Sequence, residues 1–565
     1  ELLSVDKFCK TIKKIQLAIF LENRQYLGEK WKEVISNLLF QEDYVLAQSL
    51  LKDVYNLMEN EFLQLTIYNL TGGVRVPKID FIRTVPESVG LSSEKICEFV
   101  NRLNSAEIPL HSLLVIKDDR LVFEGYQKPY GPEELHRMFS VTKSMVSLAI
   151  GCLADEGKIS LDDHIIDYFP EKLPENVHPY MMALTIRNML TMRAVHSKTT
   201  YKLEGCTDWV GSFFTTQPSH YPGTFYIYDT SSTHVLAALV EKLSGKSLLD
   251  YLRERFLDDI GFSKEAYCLK DPMGVSMGGS GLMASPMDMA RVMYLVMKGG
   301  EYGKVRYIPK EYLEQALDRW SDNYIFGQTF EEMQGYGYQF WRTTHDGYAC
   351  FGMGGQLGIC LPEKNMLIVT TADTQGRQGG VQIIYDTLWN TILRGTPGGS
   401  RQGSSGNEVA VRGCNSGSPG RNNDGWYELP QVFLKGVKQD ELQRSIDGRT
   451  IKVPENENGF KSFKLSFEAD GGCLTYENGT GVHCLQFGIG HNVETVFPDY
   501  GHRALVSAAW KNENTFLIYA QIIDEYVGKV FMSFSFAGAH VGIMLKKIEE
   551  TYYKEFNLLT SGELQ

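Results

Sequence analysis

The 565-residue chain has no excess of positive charge: its formal net charge is −13, and no compact Lys/Arg run stands out. The field that attracts a phosphate backbone is missing, so nucleic acid is not an expected partner. There is no C-x-x-C pair, and the ten cysteines, at 9, 97, 152, 206, 268, 350, 360, 414, 473 and 484, follow no regular spacing. This argues against a cysteine-ligated zinc site and a dense disulfide framework, and predicts reduced, mostly buried thiols in a cytoplasmic protein. The longest apolar stretch near the start, Ile15 to Leu21, is interrupted by Gln16 and falls far short of the ~20 residues of a membrane span. That region also lacks the parts of a secretory signal, although the chain opens at Glu1 rather than Met, which leaves a trimmed start open. No G-x-S-x-G elbow, H-E-x-x-H zinc helix or recognisable pair of glycosidase carboxylates is present. The twelve histidines are dispersed; their spacing neither builds nor excludes a Ser-His-Asp triad. No metal and no organic cofactor is implied.

What is present is the composition of an ordinary folded protein, 43% hydrophobic and 22% charged. At roughly 100 to 200 residues per domain, about three units are expected. Val5, Phe8, Ile12, Ile15 and Ile19 keep the spacing of one helix face, so residues 1–77 read as a helical lead segment. Residues 78–395 alternate strand-like and helix-like patterns, as in Leu113-Leu114-Val115-Ile116 followed by the Ser140 to Glu156 stretch. Residues 396–425 are rich in Gly, Ser and Asn and predict a linker. Residues 426–565 carry short β-type runs, among them Phe463 to Phe467, Ala504 to Trp510, Thr515 to Ile523 and Val530 to Phe536. Turn signals at Asp470-Gly471-Gly472 and Asn512-Glu513-Asn514 separate them, predicting an antiparallel sandwich or a small, lipocalin-like barrel. Asn69-Leu70-Thr71 and Asn478-Gly479-Thr480 match the glycosylation pattern, which is too short to carry weight.

The central signal is Phe139-Ser140-Val141-Thr142-Lys143-Ser144, at the start of an expected amphipathic helix running to about Glu156 and ended by Gly157. S-x-x-K occurs four times, at Ser4, Ser49, Ser92 and Ser140. Only the last directly follows a loop, Gly131 to Arg137, at a helix start. Residues three apart share a helix face, which brings Lys143 within reach of the Ser140 hydroxyl. Serine is a poor nucleophile without a base, and a buried lysine whose pKa is lowered can serve as one. The helix N-terminus adds a positive dipole end and a Ser140 N–H able to stabilise an oxyanion. The competing reading is an N-cap serine followed by a surface lysine, and local sequence does not separate the two.

That segment resembles the first motif of class C β-lactamases, penicillin-binding proteins and their esterase and 6-aminohexanoate-dimer hydrolase relatives. Further matches follow in family order: Glu156 to Asp163, Leu184 to Met192, Gly223 to Thr230, Glu241 to Tyr251, Gly278 to Ala284 and Gly352 to Gln356. The resemblance covers about residues 78–395. It implies an α/β (α+β) fold, with an antiparallel sheet flanked by helices plus a helical subdomain, to which the helical lead and the all-β C-terminal domain are added. It makes Tyr228 the tyrosine of the second motif, a proton relay, with Tyr226 as a nearby decoy. Thr230 stands where the family has asparagine. The third motif's cation is missing, since Cys350-Phe351-Gly352 occupies its place, and the strand instead resembles a G-x-G-G-Q pattern, Gly352-Met353-Gly354-Gly355-Gln356. The Met353 N–H becomes the candidate second oxyanion donor, with Thr230, Gly352 and Gly354 as candidate substrate contacts. Cys350 reads as a small buried hydrophobe rather than a nucleophile.

The resemblance thus implies a serine hydrolase cleaving an amide, peptide or ester bond through a Ser140 acyl-enzyme, with Lys143 and Tyr228 managing protons. The substrate is a small molecule or short peptide, and loss of the cation favours neutral amides and esters over penicillins. A catalytically weakened penicillin-binding-like receptor and a multidomain interaction protein are the alternatives. Homo-oligomerisation through the N-terminal helices or the C-terminal domain is left open.

Overall fold

The computed structural model describes residues 78–394, 425–548 and 556–565. The helical lead with Cys9, Ser4, Ser49 and Asn69, and the Gly/Ser-rich stretch with Cys414, lie outside the described residues.

The first described region is built on an eight-stranded sheet. It runs β1 (Ile82–Arg83), β3 (Arg120–Tyr126), β2 (Leu110–Lys117), β12 (Met366–Ala372), β11 (Gln356–Leu361), β10 (Tyr348–Gly352) and β9 (Trp341–Arg342). Its centre, from β3 to β9, is antiparallel. All eight residues of β2 are buried, as a strand covered on both faces requires. One face packs on α1 (Ser93–Ser105), whose Ile96, Phe99, Val100 and Leu103 meet Leu113, Val115, Ile359 and Ile368 in one core. The other face carries a helix close to Gly358, where an added Cβ would lie 2.8 Å from Met293.

The motif helix α2 spans Val141–Asp155. It departs from the expected amphipathic pattern: every residue from Val141 to Leu153 is buried, polar ones included. Small side chains make this possible. Gly151 lies against the Tyr312 ring, 2.6 Å from where a Cβ would sit. The hydroxyls find partners, Ser144 donating to the Gln339 carbonyl at 2.7 Å and Ser147 pairing with Tyr312 Oη at 2.9 Å. The helix ends as the sequence indicates, with Gly157 at φ 68°.

Between β4 (His136–Arg137) and β6 (Leu282–Ala284), which pair with each other while β5 (Tyr267–Cys268) pairs with the other edge of β6, lies the helical subdomain. It includes α3 (Ile186–Leu190) and α4 (Thr230–Ser244). The short strands β7 (Glu301–Tyr302) and β8 (Val305–Arg306) follow β6 in the chain.

After the undescribed stretch, β13 (Tyr427–Glu428) joins the eight-stranded sheet alongside β3. The chain then forms a ten-stranded antiparallel sheet from β14 (Thr450–Lys452), β15 (Ser462–Phe467), β16 (Gly471–Asn478), β17 (Gly481–Ile489), β18 (Val493–Phe497), β19 (His502–Trp510), β20 (Thr515–Ile523), β21 (Val527–Ala537), β22 (His540–Ile548) and β23 (Leu558–Leu564). A parallel pairing of β17 with β19, through Gly488–Ser507 and Ile489–Ala508, closes the sheet into a barrel. Alternation along β22 puts Val541, Ile543 and Leu545 inside. The interior is packed with rings, including Phe463, Phe487, Phe516 and Phe534.

Six described cysteines are free, and four of them, Cys97, Cys152, Cys350 and Cys360, are buried. The expectation of reduced thiols fails at Cys473 and Cys484, which form a disulfide across the β16–β17 hairpin. Regular spacing is no guide to such a pair, because the hairpin register alone brings the two together. Asn478 is spent on the same hairpin: its carbonyl oxygen accepts from the Thr480 N–H and hydroxyl, and its amide donates to Asp499.

Candidate active site

The loop into α2 is shaped by Phe139, whose φ of 47° places a bulky residue in the left-handed region directly before Ser140. Thr142 holds that shape, its hydroxyl donating to the Phe139 carbonyl at 2.6 Å and accepting from Leu282 N–H at 3.0 Å. Ser140 is thereby set at the N-cap of α2, partly exposed, while Lys143 one turn on is 1% exposed. Lys143 Nζ lies 3.0 Å from Ser140 Oγ and donates to the Gly279 carbonyl at 2.7 Å.

The Ser92 motif shows the alternative outcome of the same four letters. Ser92 caps α1 by accepting from Lys95 N–H, and the Lys95 ammonium turns outward to Glu98 at 2.6 Å. The Ser140 hydroxyl caps nothing. It faces an amine instead.

Gly278 and Gly279 let the chain approach closely enough to supply the carbonyl. A Cβ on Gly278 would lie 2.4 Å from Ala237, and one on Gly279 would lie 2.1 Å from the Thr230 methyl. Thr230 is thus the first residue of α4 and a wall behind the lysine's acceptor. Asp229, wholly buried, caps α4 through the Ser231 and Ser232 amides. Burial raises its carboxyl above the ordinary aspartate range, against the Ser231 hydroxyl and the Lys143 charge.

Tyr228 is beside the pair, its ring centroid 4.9 Å from Lys143 Nζ, and it is partly exposed. It stacks obliquely on Trp341 at 5.3 Å. Tyr226 is 4% exposed and packs against Tyr336 and Trp341, which makes it part of the wall.

The opposite side is the β10–β11 turn. Gly352 abuts the segment leading to Ser140, since a Cβ there would be 2.1 Å from the Met138 carbonyl oxygen. The Gly352 carbonyl accepts from Gly355 N–H at 3.2 Å. A trans peptide carries its C=O and N–H on opposite sides, so the Met353 N–H of that peptide points away from the turn's interior. Gly354 and Gly355 hold φ of 85° and 104°, conformations open to glycine. Gln356 staples the turn to β12: its Nε2 donates to the Met353 and Ala372 carbonyls at 2.6 and 2.9 Å, and its Oε1 accepts from Ala372 N–H at 3.0 Å. Met353 is partly exposed, like Ser140 and Tyr228, amid buried neighbours. Cys350 is 1% exposed, its thiol pushed up to about 12 by burial, so it is no nucleophile.

The fold therefore brings Ser140, Lys143, Tyr228 and Thr230 together, with the Gly352–Gly354 turn against the lead into Ser140. Sequence reasoning missed the roles of Gly279 as lysine acceptor, of Gln356 as the turn's staple and of Gln339. The Gln339 side chain donates to the Met189 and Leu190 carbonyls and accepts from Thr233 Oγ1, tying α3 to α4 behind Ser144. Gln356 stands in the G-x-G-G-Q pattern without a role attached to it, and no local pattern marks a carbonyl or the lone Gln339. Among the described residues no group of three or more His, Cys, Asp or Glu is placed to hold a metal, and no helix is long and apolar enough to cross a membrane.

The beta-lactamase family model matches residues 98–387, just over half of the chain. A curated relative, 6-aminohexanoate-dimer hydrolase of Paenarthrobacter ureafaciens, is 23% identical over 263 residues, 43% of this chain and 67% of the relative. Among solved structures, the octameric penicillin-binding protein homologue from Pyrococcus abyssi is 16% identical at a TM-score of 0.43, covering 80% of this chain and 99% of its own. A D-stereospecific amidohydrolase from Streptomyces sp. is 15% identical at a TM-score of 0.41, covering 51% and 97%. The chain belongs to the beta-lactamase family and is a serine hydrolase.

Proposed function

We propose that this protein hydrolyses an amide, peptide or ester bond of a small, uncharged substrate through a Ser140 acyl-enzyme. The observation that carries the reading is the 3.0 Å approach of Lys143 Nζ to Ser140 Oγ. In its free-amine form Lys143 accepts the Ser140 proton as Oγ bonds to the carbonyl carbon. The oxyanion formed is stabilised by the Ser140 and Met353 N–H groups. Lys143 and Tyr228 then return the proton to the departing nitrogen or oxygen as its bond to the acyl carbon breaks. Water attacks the acyl-enzyme, gives its proton back along the same route and releases the acid and Ser140.

Cys350 occupies the position of the family's cation, and its side chain is buried and uncharged. A carboxylate-bearing β-lactam therefore meets no counter-charge there, while Tyr228, Trp341 and Phe351 offer an apolar wall. The relative's name, a dimer hydrolase of 6-aminohexanoate, supports an amide among the substrates. We also take residues 78–395 as the catalytic domain and 426–565 as the C-terminal one.

The test is intact-mass detection of a fluorophosphonate adduct on the parent, Ser140→Ala and Tyr228→Phe proteins, followed by an ester and amide panel. One adduct on the parent, none on Ser140→Ala and slowed turnover by Tyr228→Phe are expected; labelling of Ser140→Ala overturns the assignment. Thr230 in place of asparagine favours a second reading, a weakened penicillin-binding receptor. Stoichiometric acylation without turnover of any panel member would select it.

A further inference from the structure

The oxyanion turn does not stand on the catalytic sheet alone. The Gly354 carbonyl accepts from Thr374 N–H at 2.9 Å, and the Asp373 Cα lies 3.6 Å from where a Cβ on Gly354 would sit. Residues 372–374, at the end of β12, are therefore the shelf on which the turn rests, with Gln356 as the second fixing. The C-terminal barrel holds that shelf from behind. Lys529, on β21, reaches out of the barrel to donate to the Asp373 carbonyl at 3.0 Å and pairs with Asp373 Oδ2 at 3.3 Å. Both side chains are 3% exposed. Asp373 Oδ1 accepts from Gln375 N–H, and the Gln375 side-chain amide donates to the Val527 carbonyl of the same barrel strand at 2.9 Å.

The same barrel hairpin also grips the nucleophile's side of the site. Arg137, three residues before Ser140, donates to the Glu525 carbonyl at 2.8 Å and to the Ser280 carbonyl at 2.6 Å. Ser280 follows Gly279, the acceptor of Lys143. Tyr267 Oη donates to the Glu525 carboxylate at 2.6 Å, and Tyr130 joins Leu505 and Ile523 in an apolar contact between the two parts. One hairpin, β20–β21, thus spans both halves of the oxyanion hole.

We propose that Lys529 is a positioning residue for acyl transfer: from the C-terminal barrel, it fixes the Asp373 shelf and through it the Met353–Gly354 turn. The inference rests on the acyl-transfer reading of Ser140. Lys529 touches no reacting atom. A neutral side chain in its place leaves the Asp373 carboxylate and carbonyl without the ammonium, and the turn loses its rear support. Substrate binding along the aromatic wall is untouched, so the defect is expected in kcat rather than KM.

The experiment uses the full chain, p-nitrophenyl butyrate as probe, and the variants Lys529→Met, Lys529→Arg, Asp373→Asn/Lys529→Met and Ser140→Ala. Lys529→Met is expected to lower kcat about tenfold or more, with KM within about twofold, a smaller loss than deletion of an oxyanion donor outright. Lys529→Arg, which keeps the cation, is expected to hold kcat within about fivefold of the parent. If Lys529→Met does not fold, the double variant, in which no carboxylate is stranded, is expected to show the same loss. A parental kcat in a folded Lys529→Met or double variant overturns the inference, as does a kcat loss that Lys529→Arg fails to rescue. Hydrolysis by Ser140→Ala at the parental rate would instead overturn the acyl-transfer reading itself; turnover that needs Ser140 but ignores Lys529 sinks only the positioning role.

Discussion

The Thr230 methyl occupies the space of a side chain on Gly279, 2.1 Å from where its Cβ would be. Gly279→Ala must therefore push either Thr230 or the Gly279 carbonyl, and that carbonyl is the 2.7 Å acceptor of Lys143. Overpacking of this kind costs about 1–3 kcal/mol of stability. We expect Gly279→Ala to slow fluorophosphonate labelling of Ser140 at least tenfold, on the order expected when a catalytic base is displaced. Thr230→Ser removes the colliding methyl, so Gly279→Ala/Thr230→Ser should recover part of the rate. Labelling of Gly279→Ala at the parental rate would show that the lysine needs no such anchor.

A second collision lies across the cleft. A Cβ on Gly352 would lie 2.1 Å from the Met138 carbonyl oxygen, and backbone cannot yield as a flexible side chain does. Gly352→Ala should separate the end of β10 from the lead into Ser140 and, on the proposed acyl-transfer reading, the Met353 N–H from Ser140 Oγ. Loss of a single donor is worth about 100- to 1,000-fold in kcat, and we expect Gly352→Ala in that range. Gly354→Ala, at φ 85°, strains the turn itself and should fall alongside it. Steady-state ester hydrolysis together with thermal melts separates these losses from general unfolding.

The sequence pointed to Ser140 and Lys143 because they share one helical turn, and to Tyr228 only through the order of motifs in the resemblance; the structure sets the three side by side. The sequence also showed the C-terminal strands to within a few residues, with Thr515–Ile523 matching β20 and Val530–Phe536 inside β21. What it could not show depends on pairs far apart in the chain. Gly279 is 136 residues from Lys143, and Asp373 is 156 residues from Lys529. The burial of α2 on all sides was equally hidden, since Ser144, Ser147 and Gly151 read as a polar face until Gln339 and Tyr312 are packed against them. The four S-x-x-K instances differ only in where the lysine can go, and that is a tertiary fact.

Cys350 tests the choice of nucleophile from the other side. It is buried, its thiol raised to about 12, and it leans on the Gly358 carbonyl at 3.9 Å. Cys350→Ala should keep kcat/KM within about twofold, at a cost of roughly 1 kcal/mol for the small cavity. Iodoacetamide should leave the native Cys350 unmodified. A loss of activity beyond tenfold would give the thiol a role in the chemistry.

Acid should destabilise this fold before its carboxylates titrate, because its buried imidazoles are held neutral. His136 is brought down to about 4 by burial, and His196 to about 4 by the same cause, each against a weak opposing backbone bond. His111, 2.8 Å from His136, is likewise held well below the ordinary imidazole range by burial and by the charges of His136 and Lys529. A lowered histidine pKa means the unfolded chain binds the extra proton first, so stability rises with pH between about 4 and 6.5 and is lost as pH falls through that window. Each group contributes at most on the order of 3 kcal/mol by this linkage. Urea midpoints measured at pH 6.5, 5.5 and 4.5 should decline steadily. His196→Gln keeps a donor for the Phe213 carbonyl, which His196 meets at 2.8 Å, yet takes up no proton. Its midpoint should decline less steeply between pH 6.5 and 5.5, where few carboxylates titrate. A decline as steep as the parent's in that interval would place the acid sensitivity elsewhere.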